Sequence, residues 1–256
     1  QEDWDEAFAD VLRAVAADEE RAAWALAETW DLVRGGLTLD SAREQMESAR
    51  AEHPARPTFT LMGGVLAVLD GEPEAGLALV VETEEAQGLA GSLLARYAEE
   101  LDRLGRETDA LDALETAAAR TERPAHRSQV LFQVAGIQED LGRYQDALGT
   151  LARIVEERQG TATAGKALLA SADIHQKYLD EPEQALEVYL QIQDDPILGH
   201  RQPDMLLAMG DCYLRLGRFE EAAHTYERVL PAAIDPEQAE TAEFKLAETA
   251  FFSGRA

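Results

Sequence analysis

The chain has 256 residues, 46% of them apolar, enough to bury the core of one large domain or two small ones and too many for a disordered tail. It sets 50 Asp and Glu against 23 Lys and Arg, a formal net charge of -27, which disfavours binding to nucleic acid or to anionic membrane surfaces. One cysteine, Cys212, excludes an internal disulfide and a Cys-based metal site, and the longest apolar stretch, 61–69, is too short to span a bilayer.

Only three of the bases are lysines, Lys166, Lys177 and Lys245. That skew fits a GC-rich bacterial genome, and scarce Lys beside an acid excess also fits adaptation to high salt. Acids spread over every face should make stability rise with added salt, as self-repulsion is screened. The sequence opens Gln1-Glu2-Asp3-Trp4 without a basic-then-apolar leader, which leaves the compartment open between cytoplasm and periplasm.

Alanine is abundant, β-branched residues are sparse and apolar positions recur at three and four, so every element is predicted to be a helix. A first helix is expected at about 3–17. Pairs follow at 19–34 and 39–52, 57–70 and 73–86, 88–104 and 107–120, 124–141 and 144–158, 162–178 and 182–193, then 203–216 and 219–232. A last helix is expected at 236–252, making about 14 in all. The 35–40 turn carries extra residues and is the least regular.

Three turns repeat as Leu-Gly-Arg, at 104–106, 141–143 and 216–218, each followed by an Ala opening the buried face of the next helix. Aligned on that small residue, the series reads Ala7, Ala42, Ala75, Ala110, Ala147, Ala185 and Ala222, with spacings of 35, 33, 35, 37, 38 and 37. In the repeat holding Ala222, Gly210, Tyr213, Gly217, Phe219, Ala222 and Tyr226 fill the small and aromatic positions that mark the tetratricopeptide repeat (TPR), and nearly the whole chain resembles that family. The resemblance implies a right-handed α-solenoid in which helix pairs A and B stack, because no single pair buries its apolar face alone. Residues 1–256 are thus expected to form one array. Both termini fall inside the repeat, so the expectation is a piece of a longer protein.

No chemistry is legible beside this. His53, His126, His175, His200 and His224 lie in different repeats without a second ligand at helical spacing, so no metal site is expected. Gly35-Gly36 and Gly63-Gly64 lack the context of a phosphate loop, and no nucleophile elbow is present. Acid pairs such as Glu99 with Glu100 or Asp194 with Asp195 read as solvated charge, and Cys212 as a buried thiol. No enzyme activity and no cofactor are predicted.

The resemblance implies a concave face lined by the A helices at motif positions 2, 5, 9 and 12, with position 13 following. Among those positions the candidate protein-binding residues are Glu99, Arg103, Phe132, Leu169, Asp173, Lys177, Leu207, Asp211, Arg215, Phe244 and Glu248. They describe an apolar floor edged by carboxylates. The Lys and Asn with which some family members clamp an acidic C-terminus are missing, so a basic or amphipathic peptide is the expected partner. The alternative is an architectural arm of a larger envelope protein that self-associates through its ends, with Trp4, Phe8, Val11 and Leu12 exposed at one and Leu246, Phe251 and Phe252 at the other.

Overall fold

The computed structural model describes residues 2–194 and 201–254, so Asp195, His200 and Arg255 lie outside the described residues. Fourteen α-helices and one 3-10 turn, Glu19–Arg21, account for the regular structure among those residues. They are α1 Glu2–Ala17, α2 Ala22–Gly35, α3 Leu39–Glu52, α4 Pro57–Leu69, α5 Pro73–Gln87, α6 Ser92–Arg103, α7 Glu107–Arg120 and α8 Pro124–Asp140. After them come α9 Tyr144–Glu157, α10 Ala162–Lys177, α11 Pro182–Ile192, α12 Gln202–Arg215, α13 Phe219–Ala232 and α14 Pro236–Phe252. None is long and apolar enough to cross a membrane. The helices pack as two units, Gln1–Val130 and Leu131–Ala256.

The three Leu-Gly-Arg turns share one mechanism. Gly105, Gly142 and Gly217 adopt φ of 68°, 71° and 70°, a left-handed conformation that glycine enters without a Cβ clash. The next Arg then donates its N–H back over the helix end, Arg106 to Leu101 O at 2.9 Å, Arg143 to Gln138 O at 2.7 Å and Arg218 to Tyr213 O at 2.9 Å. Orphan carbonyls are thereby satisfied and the chain is aimed into the following helix. Side-chain caps start others: Thr38, Thr161 and Asp235 accept from Ser41, Ala164 and Gln238 N–H groups.

In the first unit the glycines make the tightest crossing. Gly64 of α4 faces Gly76 of α5, and a Cβ at Gly76 would stand 2.6 Å from both Gly64 O and the Tyr97 hydroxyl oxygen. The fully buried Tyr97 of α6 fills that gap and donates to Gly64 O at 3.2 Å. This shifts the expected register by one residue. Ala75 is exposed and Gly76 takes the buried position, while at the start of the chain Phe8 is buried and Ala7 only half so. Phe8, Ala42, Gly76 and Ala110 are then 34 residues apart at every step.

Two predicted helix starts also move. Residues 19–21 form the 3-10 turn before α2. The helix expected from 88 begins at Ser92, because Gly88, Ala90 and Gly91 take φ of 66°, 52° and 92°. The buried Glu84 caps it, accepting from Gly91 N at 2.7 Å and Leu94 N at 2.9 Å. A carboxylate at a helix N-terminus gains from the exposed N–H groups and the helix dipole. At the N-terminal end the expected exposure is wrong for three residues of four: Phe8, Val11 and Leu12 are buried, α1 packing on α2 and α3, and Trp4 alone stays 38% exposed.

The second unit keeps the small-residue rule with a different filler. A Cβ at Gly210 would fall 2.3 Å from the Tyr226 ring, so the glycine of α12 makes room for the tyrosine of α13. Tyr189, Tyr226, Met205, Met209 and Cys212 share one buried cluster with Ala172, Ala185 and Ala222. Each large side chain there contributes roughly 1.5–3 kcal/mol by leaving water. The period is 37 to 38 residues from Ala110 through Ala147 and Ala185 to Ala222. The first helices of the pairs explain the two steps up to Ala185: α4 and α6 have 13 and 12 residues, α8 and α10 have 17 and 16. Three to four added residues make one turn, which lengthens a helix without rotating its buried stripe.

Candidate peptide-binding groove

A cavity of about 780 Å³ lies wholly in the second unit, on the face made by α10, α12 and α14. Leu169 from α10 and Met205, Leu207, Ala208 and Leu214 from α12 supply its apolar lining. Polar bonds tie successive A helices together there. Gln176 Nε2 donates to Ala208 O at 3.2 Å, Arg215 Nη1 to Gln176 O at 3.0 Å, and Gln238 Nε2 to Asp204 Oδ1 at 2.9 Å. These bonds hold the three helices in register and leave the leucines between them half-buried.

Seven of the eleven candidate residues meet in this cavity: Leu169, Asp173, Lys177, Leu207, Asp211, Arg215 and Glu248. Phe132 and Phe244 belong to the same unit but lie outside the described lining, Phe244 being 67% exposed on α14. Glu99 and Arg103 belong to the first unit, where Arg103 pairs with Glu100 beside a smaller apolar cavity. Reading motif positions missed Tyr189, Arg201, Asp204, Thr241 and Lys245. Lys245 sits one residue after the position-5 Phe244, so a helical wheel centred one step later would have found it.

The charge of the lining departs from a plain acidic edge. Among its described residues are Asp173, Asp204, Asp211 and Glu248 and, against them, Lys177, Arg201, Arg215 and Lys245. Four cations meet four carboxylates in a chain where acids outnumber bases by more than two to one. Lys177 pairs with Asp173 at 2.9 Å, and Lys245 bridges Asp211 at 3.0 Å and Glu248 at 3.2 Å. Burial pulls the Lys245 ammonium down, but the hydrogen bonds and charges of Asp211 and Glu248 outweigh it and hold its pKa above 10.5.

The position-9 aspartates have a second task. Tyr189 donates its hydroxyl to Asp173 at 2.8 Å, with Gln176 Oε1 3.1 Å away, and Tyr226 donates to Asp211 at 2.7 Å. Burial first, and then the neighbouring aspartate, push both tyrosines far above their ordinary pKa. Each Asp therefore fastens helix B of its own repeat while its remaining edge faces the cavity.

Residues 206–240, which include the Leu-Gly-Arg turn and the Gly210–Tyr226 crossing, match the tetratricopeptide-repeat family. The chain carries the tetratricopeptide repeat. Solved structures repeat the fold at low identity. The C-terminal part of a TPR protein from Cytophaga hutchinsonii is 14% identical, with 84% of this chain and 83% of that one covered and a TM-score of 0.54. YrrB, a TPR protein with an unusual peptide-binding site, is 18% identical, with 79% and 99% covered and a TM-score of 0.50. Naa15 in its complex with Naa10 and HypK-THB gives 14% identity and a TM-score of 0.56, with 97% of this chain covering 34% of that one. No curated protein matches the chain by sequence.

Proposed function

We propose that this TPR chain is a non-enzymatic protein-interaction scaffold that holds an extended amphipathic segment of a partner protein on the α10–α12–α14 face. The cavity of about 780 Å³ carries the reading, because its half-buried leucines offer an apolar anchor while paired charges of both signs surround them. Surface ion pairs are worth little, so Lys177 and Arg215 can exchange Asp173 and Asp180 for a partner's carboxylate without a large loss. Exchange at the exposed Arg201–Asp204 pair likewise lets a partner's Lys or Arg reach Asp204. A segment carrying both signs beside its apolar residues fits this lining better than a uniformly basic one. The peptide-binding site of YrrB lends support at the level of fold.

The test is recovery of partners from a peptide array with Leu207→Glu and Lys177→Glu. These residues are half-buried or exposed and fasten no tyrosine, whereas reversing Asp173 or Asp211 would mix folding with binding. At least a tenfold loss of bound amphipathic peptides is expected. Unchanged recovery by both variants would remove the groove from the reading.

A second reading, an assembly arm acting through its end, is favoured by one observation. Phe244, Phe251 and Phe252 of α14 are 67%, 69% and 57% exposed. Sedimentation of Phe251→Ser/Phe252→Ser against the parent distinguishes it, since only the assembly arm loses mass with that change.

A further inference from the structure

The first unit contains a cavity of a different character, lined by α2, α4 and α6, open at one side and about 220 Å³ in volume. Leu26, Trp30, Met62, Val65, Leu69 and Leu104 form its apolar walls. Three polar side chains reach it, and each already has a partner: the Thr29 hydroxyl donates to Ala25 O at 2.7 Å, and Glu100 is paired with Arg103. The exposed residues Ala23, Ala27 and Arg103 edge its mouth.

From this we infer that the first unit has a binding site for a small, neutral, apolar molecule of the alkylbenzene class. Size sets the upper bound, because an apolar cavity of about 150 Å³ is known to hold benzene and to exclude water. The extra volume here admits a ring with a short alkyl chain. Polarity sets the class. Thr29 and Glu100 are engaged and Arg103, 61% exposed at the rim, keeps its remaining donors in water, so a ligand's hydrogen-bonding group within the apolar walls would be desolvated without return. A ligand carboxylate would also meet Glu100, which is only 17% exposed. Trp30 adds aromatic surface to the lining.

The probe is propylbenzene, added to the full chain carrying 13C-methyl methionine. Of the four methionines Met62 lines this cavity, while Met205 and Met209 lie in the core of the second unit and serve as references. A saturable shift of the Met62 methyl resonance is expected, with Met205 and Met209 unmoved. Ala27→Trp, a change at an exposed position that covers the mouth without disturbing the core, should weaken binding at least tenfold. The carboxylate analogue 3-phenylpropionate should bind at least tenfold more weakly than propylbenzene. No Met62 shift up to the solubility limit, a shift that survives Ala27→Trp, or equal binding of phenylpropionate would each overturn the assignment. The groove of the second unit takes no part in this experiment, so its outcome is independent of the peptide-binding reading.

Discussion

The two units solve the same packing problem with different spacings. The first repeats every 34 residues, crosses its helices at a Gly64–Gly76 contact and closes the gap with a tyrosine from the next A helix. The second repeats every 37 to 38, opposes Gly210 with a tyrosine of its own B helix, and anchors the Tyr189 and Tyr226 hydroxyls on position-9 aspartates. The added turn of α10 belongs to the unit that holds the α10–α12–α14 cavity of about 780 Å³. A glycine crossing spends its tolerance on closeness, whereas a tyrosine crossing leaves a polar atom for further bonding. One unit is therefore brittle at its crossing and the other is adjustable at its surface.

That contrast breaks most readily at Gly76. Gly76→Leu places a side chain where even a Cβ lies 2.6 Å from a backbone oxygen, and should destabilise by about 3 kcal/mol or more in chemical unfolding. The matched control is Gly149 in α9, where a Cβ meets nothing within 4 Å; Gly149→Ala should stabilise by roughly 0.5–1 kcal/mol. Equal and small effects at both sites would erase the distinction drawn from the crossings.

Next in size is the hydroxyl anchor of the second unit. Tyr226→Phe removes the bond to Asp211 and should cost about 1–2 kcal/mol. Asp211 keeps its pairing with Lys245, which limits the loss. A variant as stable as the parent would show that the aspartate serves the cavity alone.

Alkaline pH should then expose the same unit. Burial, followed by Asp211 and Glu183, raises the Cys212 thiol from 9.0 to about 12. A group whose acidic form is favoured on folding loses stability as pH climbs from the unfolded to the folded value, so stability should fall between about pH 9 and pH 12. Cys212→Ala should flatten part of that slope in a series of thermal melts, and an unaltered slope would assign the loss to the tyrosines.

The smallest expected effect is that of salt. The first unit carries 28 acids and 12 Lys or Arg, the second 22 and 11. Screening should raise the Tm between low and molar NaCl by a few degrees. A flat or falling Tm would argue that ion pairs such as Arg43 with Asp70 and Glu72 outweigh the self-repulsion.

The helical order was legible in the sequence because glycine turns and three-four periodicity are local signals. What escaped depends on tertiary partners. Ala75 is as small as the residue the repeat requires, and only the approach of Gly64 and Tyr97 selects Gly76 in its place. Leu89 and Ala90 are good helix formers, yet the chain loops there because Glu84, seven residues before Gly91, caps the next helix. In the groove, motif positions brought Leu169, Asp173, Leu207 and Asp211 together, since spacing on one helix fixes a face. Charge balance was hidden, because Lys245 reaches Asp211 across two helices and no stripe along a single helix contains both.

The placement of the lysines has a practical consequence. All three side-chain amines fall in the second unit, with Lys166 and Lys177 exposed and Lys245 held between two carboxylates at 27% exposure. Acylating reagents should label the first two quickly and the third slowly, giving the groove a built-in chemical clock. A bound peptide that draws Asp211 or Glu248 away from Lys245 would speed its acylation, and one that covers the face would slow Lys177 instead. Mass spectrometry of two lysines thus reports whether the groove is filled and which of its ion pairs the guest has opened.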